Sequence, residues 1–307
     1  MEIDMDTCYE LIRSFAKNIG CDVSVDVPMS KYTTFKTGGN APLLVEPHSI
    51  ESLSELLKEC SKEKIRPFIL GNGSNLLVPD EGLDRIVIKL GDAFSNIELI
   101  DETTIVCGAG LTLSKLCNFA LDKSLTGLEF AFGIPGSCGG AAYMNAGAYG
   151  GEMKDVLVKC THIDSDGNIG SKSGEELNLS YRHSAYSDTD DIIISLELKL
   201  EKGNRDDIHA KMNELIGKRR DKQPLEFPSA GSVFKRPEGY FAAALIEECG
   251  LKGKTIGGAQ VSEKHSGFII NIGNATTTDI LDLIDFVQKT VLEQKGVLLE
   301  REVKIVD

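Results

Sequence analysis

The sequence lacks a long hydrophobic run. None of its apolar stretches approaches the roughly 18 residues that a membrane-spanning helix needs. The first residues, MEIDMDTCYELIRSF, carry acidic side chains where a signal peptide carries basic ones. We therefore expect a cytoplasmic protein without a membrane span.

Positive charge is scarce, because the chain has 33 Lys and Arg residues but 47 Asp and Glu residues, which gives a formal net charge of -14. A surface of this sign repels phosphate backbones and anionic lipids, so the composition argues against nucleic acid and membrane partners. A small anionic ligand would need a local cluster of cations or of backbone N–H groups.

Metal-binding cysteine patterns are missing too. The chain has eight cysteines, none in a CxxC pair, and they are scattered through apolar or small-residue segments. We interpret them as reduced thiols, mostly in the core, and expect no structural zinc or other metal site.

Fixed-period repeats and a regular βαβ rhythm are also lacking. Predicted helices and strands alternate irregularly, which favours an α+β fold over a doubly wound parallel sheet. At 307 residues the chain is long enough for two or three compact units, and we place the boundaries to give domains 1–64, 65–204 and 205–307.

Apolar spacing locates the secondary-structure elements. Helices are predicted in the segments 49–64, 112–124, 206–224 and 237–250. Strands are predicted in 66–71, 85–90, 103–110, 155–164, 191–200 and 297–306, and the segment 267–296 holds a strand followed by a long helix.

Glycine, by contrast, is concentrated in two segments. GNGSN occupies 71–75, and EFAFGIPGSCGGAAYMNAGAYGGE occupies 129–152 with seven glycines and one proline. Glycine permits positive φ and lets backbone N–H groups approach a phosphate closely, so two such loops can form a pyrophosphate-binding site. A tight turn is the simpler explanation of GNGSN alone. So many glycines would cost the longer segment conformational entropy without gain if it were a plain connection.

Neither segment fits the common nucleotide-binding motifs. The pair Gly71 and Gly73 has no third glycine, and a strand-like run follows it instead of a helix. The pair Gly108 and Gly110 has Leu113 at the third-glycine position, and no Walker loop is found. A nucleotide, if bound, is bound in another way.

Seven segments together resemble the UDP-N-acetylenolpyruvoylglucosamine reductases of bacterial peptidoglycan synthesis. In the family's order they are TTFKTGGNA, LGNGSNLLV, GIPGSCGGAAYMNAGAYGGE, YRHSAY, KQPLEFPSAGSVFKRPEG, KHSGFIIN and EREVKI, and they run from Thr33 to Ile305. Arg182 and Ser232 are only 50 positions apart, which resembles the compact variety that lacks a longer tyrosine-bearing loop. The residue that closes over the substrate is therefore open, with Tyr149 and Tyr186 as candidates.

The resemblance implies a fold and a cofactor. The fold is a two-part FAD-binding region of the vanillyl-alcohol oxidase and p-cresol methylhydroxylase type, followed by a C-terminal α+β substrate-binding domain. FAD is expected to be noncovalent, because GNGSN offers neither histidine nor cysteine for attachment, although Cys138 lies in the longer loop. The predicted cofactor-binding residues are Gly71, Asn72, Gly73, Ser74, Asn75, Leu76, Ile134, Pro135, Gly136, Ser137, Gly139, Gly140, Asn145 and Gly147.

The resemblance also implies a reaction in which hydride passes from NADPH through the flavin to UDP-N-acetylglucosamine enolpyruvate, giving UDP-N-acetylmuramate. Arg182 matches the arginine that stabilises negative charge developing at the substrate carboxylate. Glu302 matches a second stabilising residue, for which we expect a protonated side chain with a raised pKa. Ser232 matches the proton donor. Without the resemblance, Arg182 would be interpreted as part of a surface ion pair, Glu302 as a solvated charge and Ser232 as a turn hydroxyl.

Cations cluster in KRRDKQP and FKRP, where they could hold the substrate diphosphate. Lys222 and Lys235 match the substrate-side positions best, and His265 in KHSGF is placed near the substrate. Favourable contact with a helix dipole is an alternative explanation for any one of the cluster. His183 matches no family role and is interpreted as structural.

Two other functions remain open. An alcohol or sugar oxidase on the same fold would keep the glycine loops but would not need Arg182, Ser232 and Glu302 together. A flavin- or nucleotide-binding module would hold FAD without consuming NADPH. The resemblance favours a monomeric reductase that acts on a UDP-sugar in cell-wall synthesis, and hence in cell shape and division.

Overall fold

The computed structural model describes residues 5–306. Within them the α-helices are α1 (Met5–Asn18), α2 (Ile50–Lys62), α3 (Leu113–Asp122), α4 (Cys138–Tyr143), α5 (Arg205–Lys222), α6 (Ala242–Glu248) and α7 (Thr277–Lys295). None of these helices is both long enough and apolar enough to cross a membrane.

The strands, most of them short, are interspersed with the helices along the chain, which confirms the predicted α+β class. They are β1 (Asp22–Pro28), β2 (Asn40–Glu46), β3 (Phe68–Leu70), β4 (Leu76–Leu77), β5 (Val87–Lys89), β6 (Ile97–Leu99), β7 (Thr104–Gly108), β8 (Leu125–Thr126), β9 (Gly147–Ala148), β10 (Gly151–Glu152), β11 (Leu157–Ile163), β12 (Ile169–Ser173), β13 (Ile192–Lys199), β14 (Glu201–Lys202), β15 (Thr255–Ile256), β16 (Ala259–Val261), β17 (Ile269–Asn271) and β18 (Lys304–Ile305).

The chain divides into two compact units. The first takes in residues up to 26, 42–72 and 85–217, and the second takes in 27–41, 73–84 and 218 onward. The chain passes from the first unit to the second after Asp26, inside GNGSN after Asn72, and inside α5 after Gly217. The division into domains 1–64, 65–204 and 205–307 stays a prediction.

The first unit contains an antiparallel five-stranded sheet in the order β12-β11-β13-β7-β6. A four-stranded sheet has the order β1-β2-β5-β3, with β5 parallel to both β2 and β3. The helix predicted in 49–64 is confirmed as α2. Its N-cap Ser49 accepts a hydrogen bond from Ser52 N over 3.1 Å. Its buried apolar side chains recur at helical spacing and are Leu53, Leu56, Leu57 and Cys60.

The second unit packs α7 on an antiparallel sheet in the order β15-β16-β17. The helix begins after Thr276, whose side chain accepts from Asp279 N over 3.0 Å, and it ends at Gly296, which has φ of 70°. Its core-facing apolar side chains are Ile280, Leu283, Ile284, Val287 and Val291. The pair β4 and β18 runs parallel in the same unit.

Several elements differ from the sequence-based prediction. The helix predicted in 237–250 begins only at Ala242, because a turn at Gly239, with φ of 75°, precedes it. The strand predicted over 297–306 is reduced to β18, and Arg301 makes only an isolated bridge. Helix α1 was not predicted, although Cys8, Ile12 and Ala16 form a buried stripe along it.

Candidate active site

Two glycine-containing turns meet in the first unit. The side-chain amide of Asn72 donates to the carbonyl of Pro135 over 3.4 Å. A Cβ on Gly71 would lie 2.6 Å from Ser137 Oγ, so a larger residue would displace Ser137. The structure thus brings the start of GNGSN against the longer glycine segment, and the sequence analysis expects these two segments to act together.

Four backbone N–H groups in these turns find no acceptor within residues 5–306: those of Gly71, Asn72, Gly136 and Ser137. Ser137 is only 3% exposed. A buried N–H group without a protein partner is normally matched by water or by a ligand. Because successive turn N–H groups commonly form phosphate-binding sites, these residues fit the diphosphate of FAD.

A short helix follows these turns and fixes the direction of the chain. Ser137 caps α4 by accepting a hydrogen bond from Gly140 N over 3.3 Å. Gly139 N donates to Ala109 O over 2.8 Å, and a Cβ on Gly139 would lie 2.7 Å from the Ala109 Cβ. This close approach requires glycine at position 139. The sequence analysis missed α4 because glycines at 139 and 140 disfavour a helix.

The remainder of GNGSN lies in the second unit. Gly73 has φ of 60°, and a Cβ there would lie 1.9 Å from Tyr32 O. Asn75 donates its side-chain amide to Glu302 O over 3.1 Å and accepts at its carbonyl from Lys304 N over 3.0 Å. The structure therefore joins GNGSN to the EREVKI segment, which is far away in the sequence.

Ser232 and Glu302 lie on neighbouring extended segments of the second unit. Val233, which follows Ser232, accepts a hydrogen bond at its carbonyl from Glu302 N over 2.7 Å. Val233 also donates its N–H to Gly267 O over 2.9 Å, and Ser232 pairs with Phe268 in an antiparallel bridge. Two of the three predicted catalytic residues are thus brought together across 70 positions of sequence.

His265 borders the same segments. Its Nδ1 accepts from Gly267 N over 3.2 Å, and its ring makes an edge contact with Phe268 at a centroid distance of 4.9 Å. Burial lowers the pKa of His265, and the positive charges of Lys252 and Lys222 act in the same direction. The ring is therefore neutral at pH 7 and can donate or accept a hydrogen bond but not hold an anion by charge.

The basic residues predicted to face the substrate have different surroundings. Lys235 is partly buried, and its Nζ lies 2.5 Å from Glu300 Oε1. Lys222 is the exposed last residue of α5. Arg219, in the same cluster, is only 6% exposed and belongs to the interior. A contact of Lys222 and Lys235 with the substrate diphosphate stays a prediction.

Arg182 lies in the first unit, on a two-residue turn. Ser180 and His183 close this turn through two backbone hydrogen bonds of 3.1 Å each. Arg182 has φ of 57°, a strained conformation for a residue with a Cβ. Its guanidinium donates to Gly147 O over 3.3 Å and lies 5.0 Å from the centre of the Tyr181 ring. The charged group is thus held against the longer glycine segment.

His183 has the structural role that the sequence analysis gave it. One ring nitrogen lies 3.2 Å from Asn178 O, and the other lies 3.0 Å from the Asp188 carboxylate. Both contacts brace the turn that carries Arg182.

Asn145 is the residue whose role sequence reasoning missed. Its side chain is fully buried and makes three hydrogen bonds inside the protein, to Glu152, Ser180 and the Lys154 backbone. Its backbone N–H donates to Ala142 O over 3.2 Å, so Asn145 offers the cofactor neither its side chain nor its N–H group. No sequence signal could have shown this, because Ser180 is 35 positions away.

Two residues that the sequence left open belong to the core. Tyr186 is fully buried and its hydroxyl lies 3.0 Å from His162 Nδ1, so it cannot close over a substrate. Cys138 is also fully buried, and its hydrogen bond with Cys107, together with burial, raises the pKa of its thiol well above the ordinary value. A neutral buried thiol is a poor nucleophile, which supports noncovalent FAD.

The burial of most cysteines agrees with the core position predicted from sequence. All eight are free, and seven are buried. Within residues 5–306, no group of three or more His, Cys, Asp or Glu side chains is arranged to hold a metal ion.

Two family models match the chain. Residues 41–171 match the model described as FAD binding domain, and 223–306 match the model described as UDP-N-acetylenolpyruvoylglucosamine reductase, C-terminal domain. The first match includes the glycine turns, and the second includes Ser232 and Glu302. The two matches confirm the predicted fold class, an FAD-binding region followed by a C-terminal α+β domain.

Whole-chain relatives carry the same name. A UDP-N-acetylenolpyruvoylglucosamine reductase from Caldanaerobacter subterraneus subsp. tengcongensis is 51% identical, over 91% of this chain and 92% of that protein. One from Clostridioides difficile is 49% identical, over 92% of this chain and 93% of that protein. The crystal structure of the reductase from Thermus caldophilus matches with a TM-score of 0.80 and 35% identity, over 94% of this chain and 99% of that chain.

These matches extend over nearly the whole length of this chain and of each relative. The chain is therefore a flavin oxidoreductase, and it belongs to the UDP-N-acetylenolpyruvoylglucosamine reductase family.

Proposed function

We propose that the chain reduces UDP-N-acetylglucosamine enolpyruvate to UDP-N-acetylmuramate with NADPH, as a cytoplasmic step of peptidoglycan precursor synthesis. The names of its relatives support the substrate. The observation that carries the proposal is the placement of Ser232 beside the Glu302 segment within the C-terminal domain, where Val233 O accepts from Glu302 N over 2.7 Å. The enzyme acts as a monomer in this proposal.

The cofactor residues proposed are those of GNGSN and of the 134–147 segment. The N–H groups of Gly71, Asn72, Gly136 and Ser137 hold the FAD diphosphate, and no cation is needed. Bound FAD supplies hydride transfer from NADPH to the enolpyruvyl group. The remaining residues of both turns shape the loops around the cofactor: Gly73, Ser74, Asn75, Leu76, Ile134, Pro135, Gly139, Gly140 and Gly147.

Three side chains act on the substrate in this proposal. Hydride arrival at the enolpyruvyl CH₂ carbon pushes negative charge towards the carboxylate, and the guanidinium of Arg182 stabilises it. Glu302, protonated, donates a hydrogen bond to the same developing charge. Ser232 then delivers a proton to the adjacent carbon, which completes the reduction. Lys222 and Lys235 bind the diphosphate of the substrate, and His265 lies near it.

Product analysis tests the proposal. Purified protein with NADPH and the enolpyruvyl substrate should oxidise NADPH only when the substrate is present, and the product should be heavier than the substrate by two hydrogen atoms. NADPH oxidation that depends on oxygen instead would favour an oxidase. FAD binding without any NADPH oxidation would favour a binding module.

A further inference from the structure

The side chain of Asn145 connects three separate pieces of the first unit. It is fully buried, and its backbone is left-handed, with φ of 44°. Its Oδ1 accepts from Lys154 N over 2.8 Å. Its Nδ2 donates to Glu152 Oε2 and to Ser180 O, each over 2.9 Å. One amide thus hydrogen-bonds to groups from three separate places in the sequence.

The bond to Ser180 matters because Ser180 begins the turn that carries Arg182. Gly147, two residues beyond Asn145, accepts from the Arg182 guanidinium over 3.3 Å. The short segment from Asn145 to Gly147 therefore holds Arg182 in place in two ways. It fixes the backbone of the turn through Ser180, and it fixes the charged end of the side chain through Gly147.

The turn needs such support because its conformation is strained. A left-handed arginine, with φ of 57°, persists only where the surroundings determine it. Further support comes from Ser184, whose hydroxyl donates to Tyr143 O over 2.6 Å. Tyr143 ends α4, the helix that follows the cofactor turn at Gly136 and Ser137. The bonds around Arg182 therefore run back to the proposed cofactor loop.

We infer that Asn145 is a positioning residue for Arg182, tying the glycine segment that holds the cofactor to the turn that presents the guanidinium to the substrate. The inference rests on the proposed role of Arg182. It gives Asn145 a part in the step that reduces the substrate and none in the step that takes hydride from NADPH.

Only an amide can fill this position. Aspartate has the same shape but cannot donate to Ser180 O, and it would place a second carboxylate beside Glu152. The double change Asn145→Asp with Glu152→Gln restores a donor and an acceptor between these two positions. It still removes the bond from position 145 to Ser180 O, which then keeps only the backbone bond from His183 N, so it tests the bond on which the inference depends.

The test measures four quantities for each variant: FAD per protein, melting temperature, the rate of flavin bleaching by NADPH, and the rate of its return with the enolpyruvyl substrate. We expect the double variant to hold FAD and to bleach within about threefold of the wild type. The return of the flavin band should be slower by about 100-fold, because the arginine is misplaced. Asn274→Asp is the matched control, since Asn274 is an exposed left-handed asparagine with φ of 54°.

A double-mutant cycle with Arg182→Ala shows whether Asn145 acts through Arg182. In the Arg182→Ala background the Asn145 change should have no further effect on the return rate. If the effects of the two changes on the return rate multiply, Asn145 has a merely structural role and the inference is overturned. Equal losses in the bleaching rate and the return rate would overturn it as well. If the wild-type flavin fails to return with the substrate, the proposed function itself fails, and the inference fails with it.

Discussion

At the scale of single residues, backbone strain is found beside the proposed chemistry. Asn145, Tyr149 and Arg182 have φ of 44°, 53° and 57°. A residue other than glycine in this conformation costs about 1–3 kcal/mol and persists where its surroundings require it. All three lie in or against the longer glycine segment.

Ser232→Ala tests proton donation. Bleaching of the flavin by NADPH should be nearly unchanged, whereas its return with the enolpyruvyl substrate should slow by about 10²–10⁴-fold, because the carbon that receives the proton loses its donor. Anaerobic stopped-flow absorbance measures both steps. Ser61→Ala, at an exposed serine of α2, is the control. An equal loss in both steps would argue against a proton-donor role for Ser232.

Glu302 offers a second test at the same scale. If its side chain acts as a neutral donor, Glu302→Gln should keep much of the activity and Glu302→Ala should lose about 10²-fold, because glutamine can still donate to developing negative charge. Single-turnover rates of flavin return give the ranking. A glutamine variant as slow as the alanine variant would contradict the neutral-donor role.

Residue identities in the candidate site could be predicted from sequence, but their contacts could not. Ser232 and Glu302 were identified by resemblance, and the structure then placed their segments together. The role of Asn145 depends on Ser180, whose carbonyl accepts its amide over 2.9 Å. Backbone acceptors carry no sequence signature, so bonds of this kind become visible only in the folded chain.

At the scale of elements, the loop GNGSN should tolerate no side chain at its second glycine. Gly73→Val would place a Cβ about where Tyr32 O now lies, since the ideal Cβ is 1.9 Å from that oxygen, and φ of 60° disfavours a β-branched residue. We expect the purified variant to contain little or no FAD. Flavin absorbance per protein, measured after gel filtration, checks this.

Gly217→Ala is the matched control for the loop variant. Gly217 lies inside α5, and nothing is within 4 Å of a Cβ built there. Alanine favours the helix over glycine by up to about 1 kcal/mol, so this variant should keep its FAD and melt at the same or a higher temperature. Full flavin content in Gly73→Val would show that the proposed cofactor loop is misplaced.

Apolar spacing predicted several long helices and the short strands β3 and β5, whereas α1 and the interrupted segment 297–306 were not predicted. Helices α2, α3 and α5 lie where apolar spacing placed them. The predicted strand over 297–306 failed because its apolar residues pack without forming a continuous ladder, and only β18 pairs, with β4. Pairing with a strand more than 200 positions away depends on tertiary structure, which local pattern does not contain.

At the scale of the whole molecule, stability should fall in mild acid. Burial lowers the pKa of His162 and the pKa of His265 below the ordinary 6.5. Near pH 6 the unfolded chain therefore binds more protons than the folded chain. The contribution of the two histidines to the free energy of unfolding is complete above about pH 7 and declines as the pH falls below about 6.5. Urea midpoints at about pH 7.5 and pH 5.5 measure the decline.

Single histidine variants show which residue causes the loss of stability in mild acid. His162→Gln and His265→Gln should each reduce the difference between the two urea midpoints, whereas His209→Gln, at an exposed position, should leave it unchanged. A difference that is the same in all three variants would show that neither buried histidine is its source.

The division into units could not be predicted from sequence. Each unit gathers segments that are far apart along the chain, and the chain passes from one to the other inside GNGSN, where sequence pattern shows only a turn. Linear boundaries such as 64 and 204 cannot describe units of this kind. The absence of a regular βαβ rhythm was enough to give the α+β class, because class depends on local pattern alone.

The central claim is that one flavin takes hydride from NADPH and gives it to the enolpyruvyl substrate, and the most direct measurement is anaerobic absorbance of the purified protein. NADPH is added first and UDP-N-acetylglucosamine enolpyruvate second. The flavin band should bleach with NADPH and return when the substrate is added. Bleaching that is reversed only by admitting air would contradict the account and point to an oxidase.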